Sequence, residues 1–351
     1  MIPSSRDNAG SLRLHVGTYA RNGGTGLHEL GFAPDNGWSI RGGYLEAQNA
    51  SFGTYAWQHQ LYYFVDEEQG SLGAFRRKEN GWDSLSRVAT HGDAPCYVAL
   101  NADQSCLVVA NYGSGSIALF RLDAETGLPL APPNVRCNFG SGPVEERQGG
   151  PHAHCACFSP DQRWLYHVDL GTDEILAYPF DRKSVAIGGR QLAFAAAAGS
   201  GPRHLVFHPE QPLALLVSEL ASTLTLLEVG EGQLKARQVV STLPADFTGK
   251  SLGGHLSLNA SGDRVYVTNR GHDSVSVFAW DTQGVLNLLQ HVPSNGASPR
   301  AFILLEDQQQ FLIANEEDSS VVAYSLDTDG RLSMSGRLSI PGAAFLLVEH
   351  G

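Results

Sequence analysis

The chain has 351 residues, 42% of them hydrophobic and 17% charged, with 39 glycines. That is long for one ordinary domain, and abundant glycine with sparse charge suits many short strands and tight turns better than exposed helices. A formal net charge of −12 excludes nucleic acid and anionic membrane as partners, since both need a basic face, yet leaves open a small anion met by a few local arginines.

The opening residues, "MIPSSRDNAGSLRLHVGTY", lack a basic region followed by an apolar core, so no signal peptide is expected. No apolar run approaches the roughly 20 residues of a spanning helix. Five cysteines, odd in number and irregular in spacing, argue against a disulfide framework. A reduced, soluble, cytoplasmic protein is expected, with a tail over 1–12 and a single domain over 13–351.

Along the chain a unit recurs. Weaker copies begin at "LRLHVGTYARNGGTGLHELGF" and "HQLYYFVDEEQGSLGAFRR". Clear ones follow at "DQSCLVVANYGSGSIALFRLDAETGLPL" and "DQRWLYHVDLGTDEILAYPFD", a weaker one at "PLALLVSELASTLTLLEV", and two more clear ones at "GDRVYVTNRGHDSVSVFAWDTQGVLNLLQ" and "QQQFLIANEEDSSVVAYSLDTDGRLSMSG". A clear copy reads as a polar turn, an apolar strand, a polar tip, a second strand, a "D-x-x-G" type turn and a third strand. Segments such as "CYVALNA", "RHLVFHP" and "RAFILLE" supply one more strand ahead of each unit. Four strands at a period of about 45 residues, seven times over, predict an all-β, seven-bladed β-propeller. The first unit lacks a leading strand, and a spare one, "AAFLLVEH", ends the chain. Phe345–Val348 is therefore expected to be the inner strand of the blade holding Leu14–Thr18, closing the ring and hiding its sheet edges.

In a propeller the innermost strands line a central channel. Arg203 then opens an inner strand, with Glu219 one hairpin away at the same rim. Arg300 in "SPRAFILL", His152 and His154 in "GPHAHCACF", and His255 in "GGHLSL" are placed where Arg203 stands. Arg270 in "VTNRG", Asn111 and Tyr112 in "VANYG", and Asp169 in "HVDLG" are placed where Glu219 stands. Two histidines, three arginines and a carboxylate would converge on one funnel. Asn111 and Asp169 also suit a structural turn role, and His204 and His208 read as solvated or capping. The run "HAHCAC" tempts a zinc reading, but strand alternation puts His152 and His154 on one face and Cys155 and Cys157 on the other. No metal and no cofactor is expected, and the two cysteines are assigned to packing between blades.

At these residues the chain resembles the seven-bladed propeller lactonases, a family that includes bacterial propeller-type 6-phosphogluconolactonases and the fungal carboxy-cis,cis-muconate cyclase. The matching pieces are "VGTY", "ANYGSGSIALF", "GSGPVEERQGGPHAHC", "VDLGTDEILAY", "GPRHLVFHP", "SEL", "VTNRG" and "SPR". The resemblance implies catalytic or substrate-binding roles for His154, Arg203, Glu219 and Arg270, with Arg300 a further recurring arginine. His255 stands where an acidic residue is common, and Cys96 replaces a frequent serine. The expected catalytic set is His154, Glu219 and Arg203, and the expected substrate contacts are Arg270, Arg300, His152, His255, Asn111 and Tyr112. The leading expectation is hydrolysis of 6-phospho-D-glucono-1,5-lactone, a small anionic lactone. A carboxymuconate-type lactonising cyclase and a non-catalytic binding scaffold remain the alternatives.

Overall fold

The computed structural model describes residues 12–79, 81–280 and 284–348. The tail expected over 1–12 lies outside these, apart from Leu12, which opens the first strand; the end of the expected domain, 349–351, also lies outside them. The described residues form seven antiparallel sheets. Six read inner to outer in chain order, beginning at Gly53–Ala56, Pro95–Leu100, Ala153–Phe158, Pro202–Phe207, Leu252–Leu258 and Pro299–Leu305. The blade at the N-terminus takes its inner strand, Ala343–Val348, from the other end of the chain, with Leu14 opposite Val348 and Gly17 opposite Phe345. Numbered from that blade, the ring runs from one to seven. Blade four departs slightly, its outer edge being split into Ala186–Ile187 and Gln191–Ala195. No helix among the described residues is long and apolar enough to cross a membrane.

Each inner strand touches the inner strands on either side, so together they line the channel. Second strands are covered on both faces and read as unbroken apolar runs, as in Leu213–Ser218 and Cys106–Asn111, every residue of which is buried. Outer strands such as Leu234–Ser241 alternate toward solvent. Among the described residues the core divides into seven clusters, one per blade-to-blade junction. Tyr166 and Val168 of blade four, for example, pack on Leu205 and Leu216 of blade five. Each such side chain contributes about 1.5–3 kcal/mol on burial.

One local feature positions the site. In blade five Pro202 pairs with Ser218 and His204 with Val217, so Arg203 is squeezed out of the ladder as a β-bulge. Blade three skips Cys96, blade four His154 and blade seven Arg300 in the same way. Blade six skips two residues, Gly254 and His255, opposite Thr268. Bulges re-aim side chains. Here they turn the first residues of the inner strands out of blade packing and toward the channel, so a charged residue can open an apolar strand.

Candidate active site

Glu219 follows the second strand of blade five and is only 2% exposed. Its carboxylate meets Arg203 Nε at 3.0 Å, Arg270 Nη2 at 2.7 Å and Arg147 Nη2 at 2.5 Å. Burial alone would raise its pKa, but the Arg270 and Arg203 guanidinia outweigh burial and hold it well below the usual carboxylate range. His154 Nε2 lies 3.7 Å from Glu219 Oε2, beyond a direct hydrogen bond. On the other side of the ring, Cys96 Sγ is 3.8 Å from Nδ1. Burial first, then the Arg203 charge, keep His154 neutral well below an ordinary imidazole pKa. Burial likewise pushes the Cys96 thiol up, so it stays protonated at neutral pH.

Arg203 is sealed beneath this carboxylate at 2% exposure, its Nη1 donating to Gly254 O at 2.6 Å. Burial, reinforced by Arg270, brings its pKa down to about 9, which leaves it cationic at neutral pH. Arg147 arrives from above. It belongs to a four-residue helix, Glu145–Gln148, in the connection between blades three and four. The helix is pinned by Gln148, fully buried, whose Nε2 donates to Leu170 O at 2.8 Å. The Arg147 side chain stays about one-third exposed and also donates to Tyr112 Oη at 3.3 Å.

The structure therefore brings His154, Arg203, Glu219 and Arg270 together, with Tyr112 and His152 forming a side wall. The Tyr112 ring stacks on His152 at 4.5 Å and meets His154 edge-on at 5.4 Å. Arg300 lies in an adjoining cluster, 3.4 Å from Glu316 and 3.7 Å from Glu67. Arg21 pairs with the same two carboxylates, and Tyr19, under both guanidinia, donates to Glu67 at 2.5 Å. Across both clusters five guanidinia face three carboxylates, an excess of two positive charges in a chain of net charge −12. Arg21, Arg270, Arg300 and Glu316 line a cleft of ≈ 470 Å³ beside Glu219.

Several placements differ from the sequence reading. His255 is not the counterpart of Arg203: Gly254 holds that register, and His255 matches His204 one residue later. His204 is not solvated. It is buried in the channel between His154, Tyr97 and His255, at ring separations of 5.4, 5.4 and 5.2 Å. The Arg203 cluster thus stands above a plug of rings, with His255 at its lower side facing a second cavity of ≈ 480 Å³ at the other mouth. His208 does cap a turn, its Nδ1 accepting from Glu210 N and Gln211 N. Asn111 and Asp169 share the register of Ser218, not of Glu219. Asn111 is fully buried and donates to Ser116 Oγ at 3.1 Å, and Asp169 Oδ1 accepts from His152 N, Gly171 N and Thr172 N. Both hold hairpins.

The alternation argument for "HAHCAC" is also corrected. The bulge at His154 puts Ala153 and Ala156 in the junction with blade three and Cys155 in the junction with blade five, while His154 belongs to neither face. Cys157 packs beside Cys155 between blades. Glu67, Glu316 and Tyr19 went unrecognised although "VDEE", "ANEE" and "GTYA" repeat the register of "SEL". Arg147 sits in an inserted loop outside the repeat, so register could not have found it.

A family model described as "Lactonase, 7-bladed beta-propeller" matches residues 13–348. A 6-phosphogluconolactonase of Bacillus subtilis is 31% identical over 339 residues, covering 93% of this chain and 95% of the relative. Among solved structures, a putative 6-phosphogluconolactonase from Bacteroides fragilis has a TM-score of 0.86 at 28% identity, covering 99% of each chain. A periplasmic gluconolactonase from Pseudomonas aeruginosa has a TM-score of 0.88 at 27% identity, covering 96% of this chain and 99% of that one.

Proposed function

We propose that this chain, which belongs to the seven-bladed β-propeller lactonase family, hydrolyses 6-phospho-D-glucono-1,5-lactone to 6-phosphogluconate. The observation that carries the reading is one carboxylate, Glu219, ion-paired with three guanidinia beside a neutral imidazole at the channel mouth. The excess positive charge suits an anionic substrate.

Hydrolysis needs a water made nucleophilic and an oxyanion met as it forms. A proton on His154 Nδ1, the ring nitrogen on the Cys96 side, leaves Nε2 as an acceptor toward Glu219. A water bound to Nε2 and to Glu219 Oε2 gives one proton to the imidazole while its oxygen bonds to the lactone carbonyl carbon. Glu219 accepts the second hydrogen and so orients the attack. Its depressed pKa makes it a poor proton acceptor but a permanent anchor. The imidazolium that forms is steadied by that carboxylate, and it returns the proton to the ring oxygen as the ring C–O bond breaks. Arg147 and Arg270 are the guanidinia available to the oxyanion, and Arg203, sealed below, positions Glu219. Fixed dipoles and charges of this kind supply the larger part of such catalysis.

Proton release from freshly prepared 6-phosphogluconolactone, compared with gluconolactone and a carboxymuconate, tests the reading once spontaneous hydrolysis is subtracted. Turnover of the muconate alone would make the chain a cyclase, and no turnover of any would favour a binding scaffold. The proposed product belongs to the pentose phosphate pathway, which goes with a cytoplasmic location; the Pseudomonas relative is described as periplasmic, so cell fractionation is the check.

A further inference from the structure

The cleft beside Glu219 contains a cation that the ion-pair network does not use. Arg270 is paired with Glu219, Arg300 with Glu316 and Glu67, and Arg21 with Glu316 and Glu67. Lys250 lines the same cleft, is exposed, and has no ion-pair partner among the described residues. Its backbone is nonetheless held. Gly271, at φ +99°, lies so close that a Cβ there would sit 2.6 Å from Lys250 O. The next residue is tied on both sides: Ser251 Oγ donates to Arg270 O at 3.2 Å, and Ser251 O accepts from Ser222 Oγ at 3.1 Å. A held backbone with a free ammonium, beside guanidinia that are ion-paired with carboxylates and one of which, Arg270, keeps a buried Nε without a hydrogen-bond partner among the described residues, is suited to an anion that arrives with the ligand.

We propose that this cleft is the subsite for the far, phosphate-bearing end of the substrate, and that Lys250 is the residue that discriminates a phosphorylated lactone from an unphosphorylated one. The proposal rests on the lactonase reading for the identity of the ligand. Arg270 sets the polarity of binding, because it bonds Glu219 and also lines the cleft. The lactone carbonyl then lies on the His154 side and the phosphate on the Lys250 side. Arg300 and Arg21 share their hydrogens between the phosphate and their resident carboxylates. A neutral hydroxymethyl end leaves the ammonium in water and gains nothing from it.

The test is calorimetric binding of 6-phosphogluconate and of gluconate to the full chain, with lactone kinetics as a second readout. In wild type 6-phosphogluconate should bind more tightly. Lys250→Ala should lower the ratio of the two affinities by about 5- to 10-fold, between the worth of an exposed ion pair and that of a charge-assisted hydrogen bond. Lys250→Arg should retain most of the ratio. Lys235→Ala, on the outer strand of blade five, should retain all of it. An equal loss for both ligands, an unchanged ratio, or a wild type that binds the two alike would overturn the proposal. If neither lactone is turned over but Lys250→Ala still weakens 6-phosphogluconate selectively, the subsite stands and the lactonase reading falls. Turnover with a ratio insensitive to Lys250 gives the reverse.

Discussion

Glu219→Gln is the substitution that asks most of the site. It keeps the shape but removes the charge that three guanidinia share at 2.5, 2.7 and 3.0 Å. The amide has one oxygen to offer, and its NH₂ must face a guanidinium, donor against donor. Arg203 is 2% exposed and cannot turn to water. Leaving a buried charge uncompensated costs about 3–5 kcal/mol, and the partly exposed Arg147 adds little. At about 2–4 °C per kcal/mol for a large domain, Tm should fall by roughly 6–20 °C. The same change leaves the funnel one charge more positive. The variant should therefore bind 6-phosphogluconate more tightly than wild type and recover much of its lost Tm when that product is added, while lactone turnover falls because the attacking water loses its anchor. Thermal melts with and without 6-phosphogluconate, calorimetry and proton release measure all four quantities. A variant as stable as wild type, with unchanged product affinity and turnover, would refute the assignment of Glu219 as counter-ion and anchor.

His154→Ala should lower lactone turnover by at least about 10² while the protein stays folded, and His152→Ala, its control, should not; near-full turnover in the first would end the mechanism proposed here. Arg147→Ala should lower turnover by about 10², as for loss of one oxyanion donor, with little change in Tm because the side chain is one-third exposed. His154, His204 and His255 are all held below the ordinary imidazole pKa, first by burial and then by Arg203, His255 to about 3. The unfolded chain takes up these protons first, so stability is full above pH ~6.5 and is lost as pH falls below it, by about 2 kcal/mol for His255 between pH 7 and 5, with His154 and His204 acting in the same direction. The carboxylates Glu219 and Glu316, whose pKa values are also depressed, keep their contribution until pH falls below their unfolded values near 4.3. Urea titrations at the two pH values should show the histidine slope and a shallower one for His204→Gln; equal stability at both would contradict it.

The fold was legible because a propeller writes its period into the chain. Polar turn, apolar run and D-x-x-G recur, and the surplus strand at Ala343–Val348 matched the missing partner of Leu12–Thr18. The meeting of His154, Arg203, Glu219 and Arg270 was legible for the same reason, since equivalent registers of different blades converge on one axis. What failed was the last residue of register. A bulge shifts the count by one, so "GGHL" invited His255 into the place that Gly254 occupies. Asn111 and Asp169 likewise stand one position short of the Glu219 register, where their short side chains serve the hairpins they close.

The bulge also explains how an acidic protein makes a cationic pocket without weakening its blades. A guanidinium in the regular ladder would have to lie in a blade junction, where Leu205 and Leu216 pack, and it would be buried there without a partner. Squeezed out at the channel end, Arg203 and Arg300 instead meet carboxylates that stand one residue past the second strands of blades two, five and seven. The alternation of sign is what makes the crowding tolerable. Arg203 meets Glu219 within blade five, Arg270 of blade six meets the same carboxylate across the blade boundary, and the excess falls on Arg147 and Arg270, the two that keep some exposure. The positive field is thus concentrated at the cleft that Arg270 lines, while the remainder of the chain carries the negative charge.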